Sequence, residues 1–447
     1  MTFADLMLHE TLLRAVAEEG YDVPTPIQSA AIPHVLNGVD LLGCAQTGTG
    51  KTAAFALPIL QRLSQPASTQ KRRRIRALVL TPTRELAVQI LDSFETYGRH
   101  CSVRSTVVYG GVRQRPQVAA LTAGVDVLIA TPGRLMDLMG QGYVDLQYVD
   151  HLVLDEADNM LDMGFINDIR RIISYIPNER QTLLFSATMP REIRALANSI
   201  LRDPIEVKVT PVASAPDTVD QMVYFVERVQ KPAMLVDFLK NNAVERALVF
   251  TQTKQGADRV VAHLNRSGVH AEVIHGDCSQ GERSQAMANF KSDEPPVLVA
   301  TDIAARGLDI DAISHVVNYD VPLVSEQYVH RIGRTGRAGA TGIAVMFCNI
   351  EERRQLRDIE RLTGKPIRVE PMPDRIPSVS HMLASYRGEK TPAVAVVVDS
   401  VVGEDGAVAA AVPDAPTPPV EQRFGGFGRN GAAGGIPARR STRRRRR

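Results

Sequence analysis

The sequence predicts an α/β protein of two tandem lobes, each an open, mostly parallel sheet with helices on both faces, followed by a disordered C-terminal tail. Three observations point there. Short apolar runs without polar alternation recur through the first 370 residues, as expected of parallel strands buried on both faces. Arg76-Ala77-Leu78-Val79-Leu80-Thr81 returns as Arg246-Ala247-Leu248-Val249-Phe250-Thr251, and Val127-Leu128-Ile129-Ala130-Thr131 returns as Val297-Leu298-Val299-Ala300-Thr301, both at an offset of 170. Two matches at one offset mark a duplicated unit. Beyond about Glu370 the pattern stops.

In the first lobe the runs include Ala77 to Leu80, Val125 to Ala130, His151 to Leu154 and Gln181 to Phe185. Those of the second include Ala247 to Phe250, Val297 to Ala300, His315 to Asn318 and Ile343 to Phe347. Leu12 to Glu19 and Ala257 to Leu264 carry apolar residues at helical spacing. Functional residues of such sheets are expected at the carboxyl ends of the strands. Lys208 to Thr218, with Pro211 and Pro216 among small residues, reads as a linker. The expected boundaries are therefore 1–207, 208–218 and 219–370, with a tail over 371–447. Pro371 to Pro377 is proline-punctuated, Thr391 to Val420 is rich in Ala, Val and Pro, and Phe424 to Gly435 is glycine-rich. Such a composition predicts disorder. Met160, Met163 and Phe165 are helically spaced and read as core packing.

The chain has 447 residues, 44% hydrophobic and 23% charged, an ordinary globular balance. No run reaches the roughly 18 uncharged apolar residues of a membrane span. Met1 to Glu10 carries acids rather than a basic segment and an apolar core, so no secretory signal is expected. Cys44, Cys101, Cys278 and Cys348 lack paired spacing and read as reduced thiols of a cytoplasmic protein. The formal net charge of +2 hides an asymmetry: Glu421 to Arg447 holds nine arginines and one glutamate, leaving the other 420 residues at −6. A basic end on a mildly acidic body suggests a polyanionic partner.

Ala45-Gln46-Thr47-Gly48-Thr49-Gly50-Lys51-Thr52 follows the apolar pair Leu41-Leu42. Glycine-rich backbone wraps closely around phosphates, and the helix that follows offers them unpaired N–H groups. Lys51 is placed to reach the β- and γ-phosphates and the Thr52 hydroxyl to ligate Mg²⁺. The strict pattern is missed at one position, where Ala45 replaces glycine. Asp155-Glu156-Ala157-Asp158 directly follows the run His151 to Leu154. An aspartate at a strand end beside a phosphate loop suits the Mg²⁺ shell, and Glu156 can orient and deprotonate the attacking water.

With these motifs the chain resembles a DEAD-box ATP-dependent RNA helicase, most similar to the bacterial RhlE-like subgroup, over about Thr2 to Glu370. Gly20-Tyr21 through Pro24-Thr25-Pro26-Ile27-Gln28 matches the adenine-reading Q motif, with Phe3 seventeen residues upstream of Gly20. Pro82-Thr83-Arg84-Glu85-Leu86-Ala87, Gly110-Gly111 and Thr131-Pro132-Gly133-Arg134 match first-lobe RNA contacts, and Ser186-Ala187-Thr188 the coupling motif. Val249 to Thr253, Gln280 to Arg283, Ala300 to Asp309 and His330 to Arg337 match the second-lobe set. Asn159 departs from the subgroup, which usually has a basic residue there.

The resemblance implies two RecA-like lobes that close on ATP and RNA. Phe3, Tyr21 and Gln28 would hold adenine, the Gln28 amide matching N6 and N7 with one donor and one acceptor. Ala45 to Thr52 would cradle the phosphates, Thr52 and Asp155 (the latter through water) would hold Mg²⁺, and Gly307 and Asp309 would touch the nucleotide on closure. Arg334 and Arg337 suit an arginine finger, with His330 beside them at the lobe interface. Asp158 would join Ser186, Ala187 and Thr188 in coupling. Pro82, Thr83, Arg84, Gly110, Gly111, Thr131, Pro132, Gly133, Arg134, Thr253, Arg283 and Thr301 would contact the RNA backbone, without sequence preference. The expected activity is RNA-stimulated ATP hydrolysis coupled to local unwinding of short duplexes or remodelling of RNA–protein complexes. Ribosomal or RNA-decay assemblies are the implied setting. A DNA translocase and a catalytically vestigial RNA-binding scaffold are the alternatives. The arginine-rich end would tether RNA weakly.

Overall fold

A computed structural model describes residues 1–45, 48–64, 73–209, 218–305, 313–336 and 341–379. Gln46, Thr47, Gly307, Asp309, Arg337, most of the expected linker and the arginine-rich end lie outside the described residues. Seven strands build the first lobe: β1 (Leu41–Cys44), β2 (Ala77–Leu80), β3 (Ser105–Val108), β4 (Val127–Ala130), β5 (His151–Leu154), β6 (Gln181–Ser186) and β7 (Ile205–Lys208). The second lobe has β8 (Val219–Phe225), β9 (Ala247–Thr251), β10 (Ala271–Ile274), β11 (Val297–Thr301), β12 (His315–Asn318), β13 (Gly342–Cys348) and β14 (Arg368–Glu370). The spatial orders are β3-β4-β2-β5-β6-β1-β7 and β10-β11-β9-β12-β13-β8-β14. Strand for strand they are the same topology, and the neighbouring strands run parallel. The repeat at offset 170 is thus a repeat of the fold.

Side chains on a strand alternate between faces, and the central first-lobe strands feed two cores. Val79, Ile129, Val153, Leu183 and Phe185 pack under the helices Pro26–Leu36, Lys51–Ser64 and Arg84–Tyr97. Leu78, Leu128, Leu152 and Leu184 pack on the other face, with residues of the helices Pro132–Gly140, Ile166–Ile173 and Arg191–Ile200. Both positions of the central strands are apolar because both faces are covered, whereas the edge strands Ser105–Val108 and Ile205–Lys208 carry polar residues.

Two sequence expectations are corrected here. Lys208 does not open a linker; it closes β7, paired in register with Cys44. Residues 371–379 are not disordered: Ile376 joins the second-lobe core, Arg375 pairs with Asp237 through Nη2 at 2.9 Å, and Gln230 donates to the Pro377 carbonyl at 2.9 Å. The prolines punctuate a strap from which Ile376, with Met372 beside it, packs on the second-lobe core.

At Gly43 the first sheet leaves no room for a side chain. Its register partner on β6 is Phe185, whose ring lies over the glycine and packs on Phe55, centroids 5.6 Å apart. A Cβ at position 43 would sit 2.5 Å from Phe185 Cδ1. Gly43→Ala is therefore expected to destabilise the first lobe by about 1–3 kcal/mol through overpacking, read as a lowered thermal midpoint. An unchanged midpoint would mean that the ring moves aside freely.

Candidate nucleotide site and interlobe cleft

The loop after β1 reverses through Gly48 and Gly50, at φ +83° and +88°, a region open to glycine without strain. Lys51 starts the next helix with its side chain buried. Its Nζ donates to the Ala45 carbonyl at 3.0 Å and lies 4.0 Å from Asp155 Oδ1. Asp155, at the end of β5, is 2% exposed. Burial pushes its carboxyl up to about 6, opposed by Lys51 and reinforced by Glu156. A buried carboxylate only partly balanced by one ammonium, together with the hydroxyl of Thr52, which follows Lys51 in the chain, is an oxygen donor set that suits Mg²⁺. Such an ion binds through one or two protein groups, phosphate oxygens and waters.

Gln28 joins the adenine motif to this loop. Its Oε1 accepts from Thr25 N–H at 2.9 Å and its Nε2 donates to the Gly50 carbonyl at 3.1 Å. Any side chain at Gly50 would collide with that amide. Each amide atom has a second hydrogen-bonding site, so the contact with Gly50 does not exhaust Gln28 for a base. Tyr21 is exposed, with its ring centroid 6.5 Å from that of Tyr97. Phe3 corrects the expectation made for it. It is 5% exposed and belongs to the first-lobe core, so its ring packs against protein instead of presenting a face to a base.

Glu156 is buried and held at φ 54°, ψ 53°, a left-handed conformation that costs a non-glycine residue energy and often marks functional positions. Asn159 Nδ2 donates to Glu156 Oε2 at 2.9 Å. Asp158 Oδ2 accepts from both Thr188 N–H (2.7 Å) and Thr188 Oγ1 (2.8 Å). Ser186 Oγ accepts from Asp158 N–H at 3.2 Å and donates to the Thr188 carbonyl at 2.7 Å. Ala187 lies between these two partners. The acidic tetrad thus touches the phosphate-loop lysine at one end and the Ser-Ala-Thr turn at the other.

A cleft of ≈ 410 Å³ is lined by Pro82, Thr83, Arg84, Gly110, Thr131, Gly133 and Arg134 of the first lobe, and Gly276 and Arg283 of the second. Met163 and Phe165 also line it; Met160 is fully buried as expected, but Met163 serves the cleft wall instead of the core. Thr83 caps its helix, Oγ1 accepting from Leu86 N–H at 3.3 Å, and Thr253 does the same for Gly256 at 3.0 Å. In both the hydroxyl proton remains to be donated. Arg84 lies against Gly111, where any side chain would strike its guanidinium. Pro132 opens the helix that carries Gly133 and Arg134, and Thr301 closes β11 in register with Thr251.

Arg283 is turned to protein. Its Nε donates to Glu85 across the cleft at 2.7 Å, and its other nitrogens to the carbonyls of His275 (3.4 Å) and Ala304 (3.2 Å). It ties the lobes together, where exposure to an RNA backbone was expected. Arg84 adds a second tie, to Gln280 at 3.3 Å.

Sequence reasoning missed four residues. Asn159 was noted only as a departure. Arg331, buried, pairs with both oxygens of Asp302 (Nη2 at 2.7 Å) and donates to Asn318 and the Asp320 carbonyl. It pins the helix Ser325–Ile332 that presents His330 and precedes Arg334, which is also buried. Lys254 was legible from the repeat itself; Gly276 was not, because the residue 170 positions before it is Thr106. At offset 170 Lys254 matches Arg84, and its tip lies over Gly276 as that of Arg84 lies over Gly111.

Lys231 is the first residue of the helix after β8, as Lys51 is of the helix after β1. In the second lobe this lysine is neutralised internally, by Glu352 at 2.8 Å and Asp320 at 3.6 Å. The loop before it, Val226 to Gln230, has no glycine. Among the described residues, only the first lobe has a glycine-rich loop before such a lysine.

Two family models match the chain: DEAD/DEAH box helicase over residues 25–196 and Helicase conserved C-terminal domain over residues 230–339. The chain is 43% identical over 364 residues to the DEAD-box ATP-dependent RNA helicase CshA of Bacillus cereus, covering 81% of this chain and 68% of that protein. S. cerevisiae Dbp5 bound to RNA and ADP BeF3 matches with a TM-score of 0.74 at 30% identity, over 83% of this chain and 96% of that one. Mss116p bound to ssRNA and AMP-PNP matches with a TM-score of 0.76 at 28% identity, over 86% and 81%.

The Asp158–Thr188 contact can be tested without any ligand. Thr188→Val removes the hydroxyl bond and keeps the backbone one, so the first lobe should lose about 1–2 kcal/mol in denaturant unfolding, with Thr188→Ser recovering most of it. Equal stability of all three proteins would show that the contact is not closed in solution.

Proposed function

The chain belongs to the DEAD-box ATP-dependent RNA helicases, and from that premise we propose how its own side chains perform RNA-stimulated ATP hydrolysis. The observation that carries the proposal is the unbroken run of contacts Lys51–Asp155, Glu156–Asn159 and Asp158–Ser186–Thr188 along one strand end and the turn beside it.

Gln28 reads adenine with the amide sites left over from Thr25 and Gly50. Lys51, which carries three N–H donors and uses one on Ala45, turns the others to the β- and γ-phosphates. Mg²⁺, when held by Thr52 and, through water, Asp155, supplies neutralisation of the phosphate oxygens. Glu156 takes the proton of the attacking water, and Asn159 sets the direction of its carboxylate. Arg334, with Arg337, meets the charge that develops on the γ-phosphate. The Asp158–Thr188 contact passes the state of this site to the Ser-Ala-Thr turn.

RNA lies across the cleft, its backbone met by Thr83, Arg84, Gly110, Gly111 and Arg134 on one lobe and by Thr253, Lys254, Gly276 and Thr301 on the other. Hydroxyls, backbone N–H groups and cations address phosphates and sugars, so binding carries no base preference. Arg283–Glu85 and Arg84–Gln280 hold the closed state, and the free energy of closure separates the strands. The end from Glu421 to Arg447 serves as a loose electrostatic tether for RNA. Four unpaired cysteines suit a reducing, cytoplasmic setting.

Glu156→Gln keeps shape and hydrogen bonding but loses the base. ATP turnover should fall by about 100-fold or more, while RNA release with ATP present becomes slower than in the parent; faster release would remove Glu156 from the role of base. Asn159→Ala should lower kcat on the order of tenfold through a misaligned carboxylate, with KM for ATP and RNA affinity unchanged. Equal losses in kcat and binding would mean a general collapse of the site.

A further inference from the structure

Outside these clefts, one group of nucleophilic and titratable side chains has no part in the scheme above. After β10 the chain turns back at once, Cys278 N–H donating to the His275 carbonyl at 3.1 Å, before Ser279 caps the helix Gln280–Phe290. The turn brings Cys278 Sγ to 3.4 Å from His275 Nδ1. On the far side of the ring, Nε2 lies 2.9 Å from Asp258 Oδ1, one turn into the helix Lys254–Arg266.

The tautomer follows from two partners. Asp277 N–H donates to Nδ1 at 3.3 Å, so Nδ1 is an acceptor, and a carboxylate accepts from Nε2–H. The unprotonated nitrogen therefore faces the thiol. His275 N–H also points at the same sulfur, at 3.4 Å, and favours negative charge there. The competing acceptor for the thiol proton, the Val273 carbonyl, is farther at 3.8 Å. Nucleophile, base and orienting carboxylate stand in the order that activates a cysteine. Cys44 and Cys348 are buried, and burial pushes both thiols up, Cys348 to about 11. Cys101, half-buried near Thr11, has no such base and is the internal control.

We propose that Cys278 is a thiol-exchange site for small disulfides, and that capping it weakens closure on RNA. The Cys278 thiol proton passes to His275 Nδ1 as Sγ attacks one sulfur of the disulfide. The new Sγ–S bond forms, the reagent's S–S bond breaks, and the departing thiolate takes the proton from the imidazolium. One disulfide replaces another, so no further oxidant enters. The site is half-buried, with room at its exposed neighbours Gly276, Asp277 and Ser279. It stands two residues from Gln280, the partner of Arg84, and shares its turn with the His275 carbonyl that accepts from Arg283. A tripeptide-sized cap at that point crowds both ties between the lobes.

The test treats the full chain with oxidised glutathione, maps capped cysteines by peptide mass, and measures RNA affinity with Mg²⁺ and a non-hydrolysable ATP analogue before and after thiol reductant. Cys278 should be capped at least about tenfold faster than Cys101, and His275→Asn should remove that advantage. Asp258→Asn, at an exposed carboxylate, serves if the histidine variant does not fold. RNA affinity should fall on capping and return on reduction, and Cys278→Ser should lose this response with its uncapped RNA-stimulated turnover unchanged. Capping no faster than at Cys101, or as fast in both variants, overturns the activated thiol. Capping without loss of affinity overturns the regulatory half, which rests on the RNA reading above; the capping rates do not.

Discussion

A carboxylate buried at the carboxyl end of a parallel sheet is the constraint around which the first lobe is arranged. Asp155 is almost fully buried, with one ammonium 4.0 Å away and a second carboxylate next in sequence. In a low-dielectric site that balance is poor: burial alone raises the proton affinity of the group, and Lys51 offsets only part of it. On the proposed reading, a divalent cation and a polyphosphate would complete the charge balance together, the cation serving Asp155 and the phosphates serving Lys51. The fold thus leaves a charge site that its own side chains compensate only in part. The left-handed backbone at Glu156 and the amide of Asn159 fix the second carboxylate in place. The same strand end then carries Asp158 to Thr188, so that charge balance in the nucleotide site and the geometry of the neighbouring turn are one structural unit.

Duplication accounts for the division of labour between the lobes. Both sheets have the same strand order, and both end in capping threonines with a cation following, Thr83-Arg84 and Thr253-Lys254. The capping hydroxyl and the cation after it are therefore repeated. The nucleotide features are not. Lys231 occupies the place of Lys51, but Glu352 and Asp320 fill the role of the phosphates. One lobe holds a ligand-dependent charge site and the other a self-satisfied copy, which leaves the second lobe free to respond to the first.

What was legible in the sequence was what is local. The phosphate loop, the acidic tetrad and the Ser-Ala-Thr turn each depend on spacing within a few residues, and the parallel strands on unalternated apolar runs. The repeat disclosed the topology because Thr81, Thr83 and Thr131 recur at one offset. Contacts made by tertiary packing were not legible. Nothing in its neighbours tells that Asn159 turns inward to Glu156, or that Arg283 spends its guanidinium on Glu85 and two carbonyls instead of a phosphate. Phe3 and the strap 371–379 were misread for the same reason, since an isolated aromatic or a proline-rich stretch gains its role only from the core it meets. Short strands such as Ser105–Val108 and Ile205–Lys208, partly polar and at sheet edges, escaped an apolar-run criterion built for central strands.

The most direct measurement of the central claim is phosphate release by the intact chain with ATP and Mg²⁺, alone, with single-stranded RNA, and with DNA of the same sequence. If nucleotide chemistry and cleft closure are one coupled unit, turnover should be slow without nucleic acid, rise steeply with RNA and stay near the unstimulated rate with DNA. A rate that is the same in all three conditions, or one that DNA raises as much as RNA, would contradict it.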